Sequence, residues 1–210
     1  MLSTKIICTI GPASNSPKKL ADLAEAGMNI ARLNFSHGTH HSHKKIIEQI
    51  RKLNKDRQYP IAIMLDTQGP EIRTGDLEMK LVTGERVSVN TSPNDEKEGL
   101  IYVNYPHLKD DLEIGNSILI DGGLMRLEVL AKTEIGLECE VIYGGLLKGH
   151  RHVNLPGTIV KLPGITETDK KDILFGIEQN VDTIALSFVR NPETILEVRD
   201  LLGASAEHIK

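Results

Sequence analysis

Three polar residues, Arg32, Asn34 and Ser36, recur at every second position along and just beyond the apolar run 30–35. Alternate side chains of a strand share a face. The three would therefore point one way, and Leu33 and Phe35 the other. An inner strand of a parallel sheet is ordinarily apolar on both faces, and this run breaks that rule at its C-terminal end. The run 61–66 breaks it at the same end, with Asp66 and then Thr67. In parallel α/β folds that rim is where ligands bind. A guanidinium at Arg32 offers a planar fork of donors suited to phosphate or carboxylate. Asn34, Ser36, Asp66 and Thr67 offer a cation only oxygen, which suits a hard ion rather than zinc.

The segment Thr67-Gln68-Gly69-Pro70-Glu71-Ile72-Arg73 follows directly. Its Gly-Pro predicts a turn, after which Arg73 is expected to face a cleft between domains. His37, His40, His41 and His43 lie close together and could supply imidazoles to zinc. No i, i+4 pair among them carries the glutamate of a zinc hydrolase. The stretch is therefore read as a solvated loop and helix start, His37 excepted because it adjoins Ser36. Neither a GxxxxGK[ST] loop nor a GxGxxG turn occurs, so any nucleotide must be held by other means.

These residues need elements to position them. Residues 1–69 alternate strand and helix, with strands expected at 5–10, 30–35 and 61–66. Ser16-Pro17 starts one helix, with Leu20, Leu23 and Ala24 on its apolar face. Ile46, Ile50 and Leu53 mark the next. Such alternation implies β-α-β units and a parallel sheet. Residues 70–157 switch to period-two alternation at 87–90 and 137–141. Turn signals recur there at Asn94-Asp95, Asp121-Gly122-Gly123 and Gly144-Gly145, predicting an inserted, acidic β domain. Residues 158–210 return to the first pattern. Thr166-x-x-Asp169 opens a helix with an apolar face expected at Ile173, Leu174 and Ile177. A strand follows at 183–189, and Asn191-Pro192 caps a helix carried by Ile195, Val198 and Leu202.

Composition fits a soluble globular chain: 210 residues, 40% hydrophobic, 26% charged and 3% aromatic. The net charge of −4 argues against a nucleic-acid or anionic-membrane binder. No apolar run approaches the ~20 residues of a membrane span, and the start lacks the pattern of a secretory leader. Cys8 and Cys139 read as small packing residues in a reducing compartment.

On a series of long motifs in order, the chain resembles the pyruvate kinase family. They are Cys8-Thr9-Ile10-Gly11-Pro12-Ala13-Ser14, Arg32-Leu33-Asn34-Phe35-Ser36-His37-Gly38, Asp66-Thr67-Gln68-Gly69-Pro70-Glu71-Ile72-Arg73, Val153-Asn154-Leu155-Pro156-Gly157 and Ser187-Phe188-Val189-Arg190. The resemblance implies an α/β fold: a partial TIM (β/α)8 barrel, interrupted after its third strand by an all-β barrel lid domain. It implies phosphoryl transfer from phosphoenolpyruvate to ADP, giving pyruvate and ATP, with Mg²⁺ and K⁺ as cofactors. It also implies a cytoplasmic, glycolytic enzyme that is a homotetramer at full length. Carried over residue by residue, Arg32 would bind the substrate phosphate. Asn34, Ser36, Asp66 and Thr67 (through its carbonyl) would hold K⁺, and His37, Arg73 and Arg151 would contact nucleotide phosphates.

Departures from the family pattern are Gln68 for a common Lys, Asp121-Gly122-Gly123 for Asp-Asp-Gly, and Arg151-His152 for Lys-Gly. The family's catalytic Lys and its Mg²⁺-binding carboxylates are expected beyond residue 210. The 210-residue chain alone is accordingly expected to be inactive. Alternative readings are a non-catalytic phosphoenolpyruvate/K⁺ binding module and a metal hydrolase built on the His cluster.

Overall fold

The structure, a computed structural model, describes residues 4–92 and 99–210; the Asn94-Asp95 signal lies outside the described residues. In chain order the elements are β1 (Ile7–Thr9), α1 (Pro17–Glu25), β2 (Ile30–Asn34), α2 (His40–Asn54), β3 (Ala62–Asp66), β4 (Met79–Leu81), β5 (Arg86–Asn90), β6 (Leu100–Tyr102), α3 (Leu108–Asp111), β7 (Ser117–Ile120), β8 (Met125–Lys132), β9 (Gly136–Tyr143), β10 (Gly145–Leu147), β11 (Val153–Asn154), α4 (Glu167–Glu178), β12 (Thr183–Ala185) and α5 (Pro192–Leu202). They form two compact units, Met1–Pro70 with Pro163–Lys210, and Glu71–Leu162.

In the first unit β1, β2, β3 and β12 make one sheet in that order, with every pair parallel. Register partners in a parallel sheet project from the same face. Thr9, Arg32, Met64 and Thr183 form one row across the sheet, and Asn34, Asp66 and Ala185 the row above it. The other face is apolar. Ala31, Leu33, Ile63 and Leu65 pack there with Ile46, Ile47 and Ile50 of α2 and Ile173 of α4. Each such side chain contributes roughly 1.5–3 kcal/mol on burial. The arrangement is a partial α/β barrel. Past α5, the backbone N–H of Lys210 donates to Asp182 at 3.0 Å and its carbonyl accepts from Ile184 at 2.8 Å, so the final residues line the outer edge of β12.

Local signals set the helix starts. Ser16, Thr39, Thr166 and Asn191 each accept a backbone N–H from the first turn, and Pro17 and Pro192 open α1 and α5. Two apolar faces need correcting. Leu174 is 50% exposed and Ile195 47%. The inward stripe of α4 runs Asp169, Asp172, Ile173 and Gly176, all buried, the i, i+3, i+4, i+7 spacing of one helix face. A Cβ at Gly176 would meet Leu65 Cδ1 at 2.8 Å, so the helix rests closely on β3.

The strand expected at 183–189 stops at Ala185. There the Thr67 hydroxyl accepts the Ser187 N–H at 3.1 Å, and Phe188 takes φ 59°. A side chain has replaced the next ladder bond.

The second unit is β-rich around its own core. A six-stranded sheet runs in the order β11-β7-β8-β9-β5-β6, and β10 pairs with β4. Leu127, Val129, Cys139 and Val141 lie at its centre. Burial pushes the Cys139 thiol up to about 12, which keeps it protonated and inert. Val160 and Leu162 pack on the same core. Lys161 is tied in as well, its N–H reaching Tyr105 Oη at 2.7 Å and its ammonium pairing with Asp111. The entry of this unit pairs with residues 150–153 near its end: Val153 N–H donates to Ile72, Thr74 N–H to Arg151 and His150 N–H to Gly75, at 2.8, 2.8 and 2.9 Å.

Candidate phosphate and cation site

Most of the candidate residues sit at the C-terminal rim of β2 and β3. Arg32 projects from the polar face of β2 beside Thr9 of β1. Its guanidinium donates to Thr9 Oγ1 at 2.7 Å and forms an ion pair with Asp66 at the end of β3. Two of the five N–H groups of a guanidinium are thereby anchored, and the side chain remains one-third exposed. It is held at one edge and presented at the other. Asp66 is also within 3.4 Å of the Ser187 hydroxyl.

β2 ends at Asn34, so Ser36 is not on the strand as its spacing suggested. A turn brings it back: Asn34 Oδ1 accepts the Ser36 N–H at 2.9 Å and Asn34 O the His37 N–H at 3.3 Å. Phe35 N–H continues to the carbonyl of Asp66 at 2.9 Å, holding this turn to β3. Thr67 is buried, its N–H bonded to Ala185 at 3.1 Å. The structure thus gathers Arg32, Asn34, Ser36, Asp66 and Thr67 at one rim, with His37 exposed on the loop beside them.

The other two candidates lie in the second unit. Arg73 is fixed by Glu71, with both Nε and one terminal nitrogen 2.7 Å from Glu71 Oε2, and by the carbonyl of His150 at 2.7 Å. Arg73 pairs opposite His152, so Arg151 follows on the other face of that ribbon. Its guanidinium lies 3.8 Å from Asp121, and its Nε is buried without a partner.

The histidine stretch differs from expectation. His41 is exposed, but His43 is only 6% exposed and His40 is engaged. His40 Nε2 donates to Asp172 at 2.6 Å, and its ring stacks on Phe175 at 4.4 Å. His43 stacks on Phe35 at 4.1 Å. A solvated helix start is therefore the wrong reading for His43, while His40, paired and stacked, still keeps an exposed side. Phe35 covers His43, whereas His40 only rests one ring face on Phe175. Among the described residues no group of three or more His, Cys, Asp or Glu is placed to hold a metal.

Sequence spacing missed Thr9, Glu71, His43, Asp172 and Ser187. Only Glu71 carried a local signal, an acid standing two residues from Arg73. The rest reach their partners across the sheet or from another helix.

A guanidinium held beside a set of oxygen donors, at the C-terminal rim of parallel strands, lies where proteins of the α/β-barrel class bind their ligands. The family model described as "Pyruvate kinase, barrel domain" matches residues 1–210. Proteins named pyruvate kinase from Geobacillus stearothermophilus and Staphylococcus aureus (strain USA300) are 50% and 48% identical over 99% and 100% of this chain. One from Staphylococcus haemolyticus is 46% identical over 99% of it. The chain belongs to the pyruvate kinase family. It spans 36–37% of the length of these relatives.

The donor chemistry at this rim is that of a hard cation. Asn34 Oδ1, Ser36 Oγ, one carboxylate at Asp66 and the Thr67 carbonyl are all hard oxygens with a single formal negative charge among them. No comparable carboxylate set for Mg²⁺ occurs among the described residues.

Proposed function

We propose that this chain forms the phosphoenolpyruvate- and K⁺-binding part of an enzyme that transfers the phosphate of phosphoenolpyruvate to ADP. The bond between the enol oxygen and phosphorus breaks, and one forms to the terminal oxygen of ADP. The enolate released then takes a proton and becomes pyruvate, and ATP is the second product. The observation that carries this reading is Arg32, held by Asp66 and Thr9 with the rest of its fork presented at the strand rim. Phosphoryl transfer is mainly positioning and charge neutralisation. Arg32 binds and orients the transferring phosphate. Asp66 holds the fork in plane through the ion pair. Asn34, Ser36, Asp66 and the Thr67 carbonyl hold K⁺, which when bound supplies positive charge next to the phosphate without any proton chemistry. His37, Arg73 and Arg151 contact the nucleotide phosphates, with Glu71 fixing the direction of Arg73. The reaction also uses Mg²⁺. The protein acts in the cytoplasm as part of glycolysis, and the full-length form is a homotetramer. No helix of the described residues is long and apolar enough to cross a membrane.

The test is Arg32→Ala and Arg32→Lys in the intact protein, with steady-state kinetics in phosphoenolpyruvate. Both variants are expected to lose at least about 100-fold in kcat/KM, the scale of one preorganised charge contact in a transition state. Arg32→Lys stays low because an ammonium cannot reproduce the fork. Near-normal kinetics in Arg32→Ala would overturn the assignment.

A further inference from the structure

The loop 35–38 joins β2 to α2 and carries Ser36 and His37. One buried side chain touches it at three points. His43, one turn into α2, stacks its ring on Phe35 with centroids 4.1 Å apart and planes 16° from parallel. Its Nε2 is 2.8 Å from the carbonyl of His37. A carbonyl only accepts, so Nε2 carries the proton and donates. Gly38, at φ +82°, passes so close that a Cβ there would meet His43 Nε2 at 3.2 Å and Ser42 Oγ at 2.9 Å. The residues on both sides of Ser36 are thus fixed by one imidazole, while Ser36 itself is bonded through its N–H to Asn34.

The ring in turn has a fixed seat. It lies in the side of α2 that faces Phe35 and α4, where His40 is paired with Asp172 and stacked on Phe175. His43 Nδ1 and Asp172 Oδ2 are both buried without a hydrogen-bond partner. A polar group left so in a packed wall is costly, and an apolar residue of similar shape would remove that cost. A neutral imidazole with its proton on Nε2 is the side chain here that both stacks on Phe35 and donates to the loop.

We propose that His43 is a positioning residue for the site. It sets the loop that presents Ser36 to the cation and His37 to the nucleotide, and touches neither ligand itself. The inference rests on the reading of Ser36 and His37 given above, and deepens it. His43 acts on the cation and nucleotide side of the site, whereas Arg32, anchored on β1 and β3, does not depend on it.

The experiment compares His43→Phe, which keeps a stacking ring and loses the donor, with His43→Gln, which restores an N–H donor without the ring. Ser36→Ala and His37→Ala serve as controls in the intact protein. Steady-state constants for ADP, K⁺ and phosphoenolpyruvate are measured, together with amide exchange at residues 36–38. His43→Phe is expected to raise the ADP KM and the K⁺ half-activation concentration about fivefold, the effect of one net hydrogen bond. The phosphoenolpyruvate KM should move less than twofold, and exchange at 36–38 should quicken while that of Ile47 and Ile50 does not. His43→Gln should recover most of the ADP and K⁺ effect. If Ser36→Ala and His37→Ala impair the enzyme while His43→Phe leaves constants and exchange unchanged, the inference is overturned and the site reading stands. If Ser36→Ala and His37→Ala are themselves silent, the site reading fails, and unchanged exchange in His43→Phe would overturn the inference separately. Should His43→Phe not fold, nuclear magnetic resonance of the unaltered protein decides. A slowly exchanging His43 Nε2 proton supports the inference, and its absence overturns it.

Discussion

Asp66 and His43 do opposite things with burial. Asp66 pairs with Arg32, whereas burial favours the neutral form of His43. Burial depresses the His43 pKa below the ordinary 6.5, with the His37 carbonyl and Asp172 opposing that shift. The native state therefore binds this proton less readily than the unfolded chain does. Stability should be constant above the ordinary value and fall as pH drops through 6.5 toward the lower folded value, with a slope of at most about 1.4 kcal/mol per pH unit. Asp172, raised by burial, contributes with the reverse sign from 3.8 upward. Urea midpoints of the native protein and His43→Phe from pH 7.5 to 5.5 check this: the native protein should lose stability relative to the variant as pH falls. At this scale the sequence was partly legible. Arg32, Asn34 and Asp66 stood out because polar side chains interrupted a period-two apolar pattern. His43 did not, because its partners Phe35, His37 and Asp172 are fixed by packing between β2, α2 and α4, which no local spacing encodes.

Helix caps were the most legible elements, since a cap is a bond between residues three apart. Asp169 shows how one cap extends into tertiary structure. Its Oδ2 accepts the Thr166 N–H at 2.8 Å and the Thr166 hydroxyl at 2.6 Å. Its Oδ1 accepts the Gly69 N–H at 2.9 Å. The first two bonds follow from the Thr-x-x-Asp spacing, but the third does not. It ties α4 to the turn after β3, where Gly69 adopts φ +73° and a Cβ would lie 2.8 Å from Ser187 O. Asp169→Ala should leave three donors facing a buried gap and lower stability by about 3 kcal/mol, read from the denaturant midpoint. Asp169→Asn should fall in between, because an amide keeps one acceptor. Strand ends were the least legible. β2 and β12 stop where side chains, Asn34 and Thr67, capture the next N–H groups. Hydrophobic alternation continues past both points and gives no sign of it.

For the molecule as a whole, the sequence shows a hydrophobic period that changes from helical to two and back, with no sign that Val160 and Leu162 pack on the β-rich core. Each unit has its own apolar core, so damage should stay local. Leu127→Ala in the second core and Ile47→Ala in the first should each cost about 2–5 kcal/mol. Amide exchange should quicken mainly in the unit that carries the change, and equally faster exchange in both units would show a single cooperative fold. The pairing of 72–75 with 150–153 has one more consequence. Because the first residues of the β-rich unit are bonded to 150–153 near its end, the unit is fastened to itself like a closed clasp. The unit is thus a natural cassette, open to exchange or enlargement in evolution with little disturbance to the strands that carry Arg32 and Asp66.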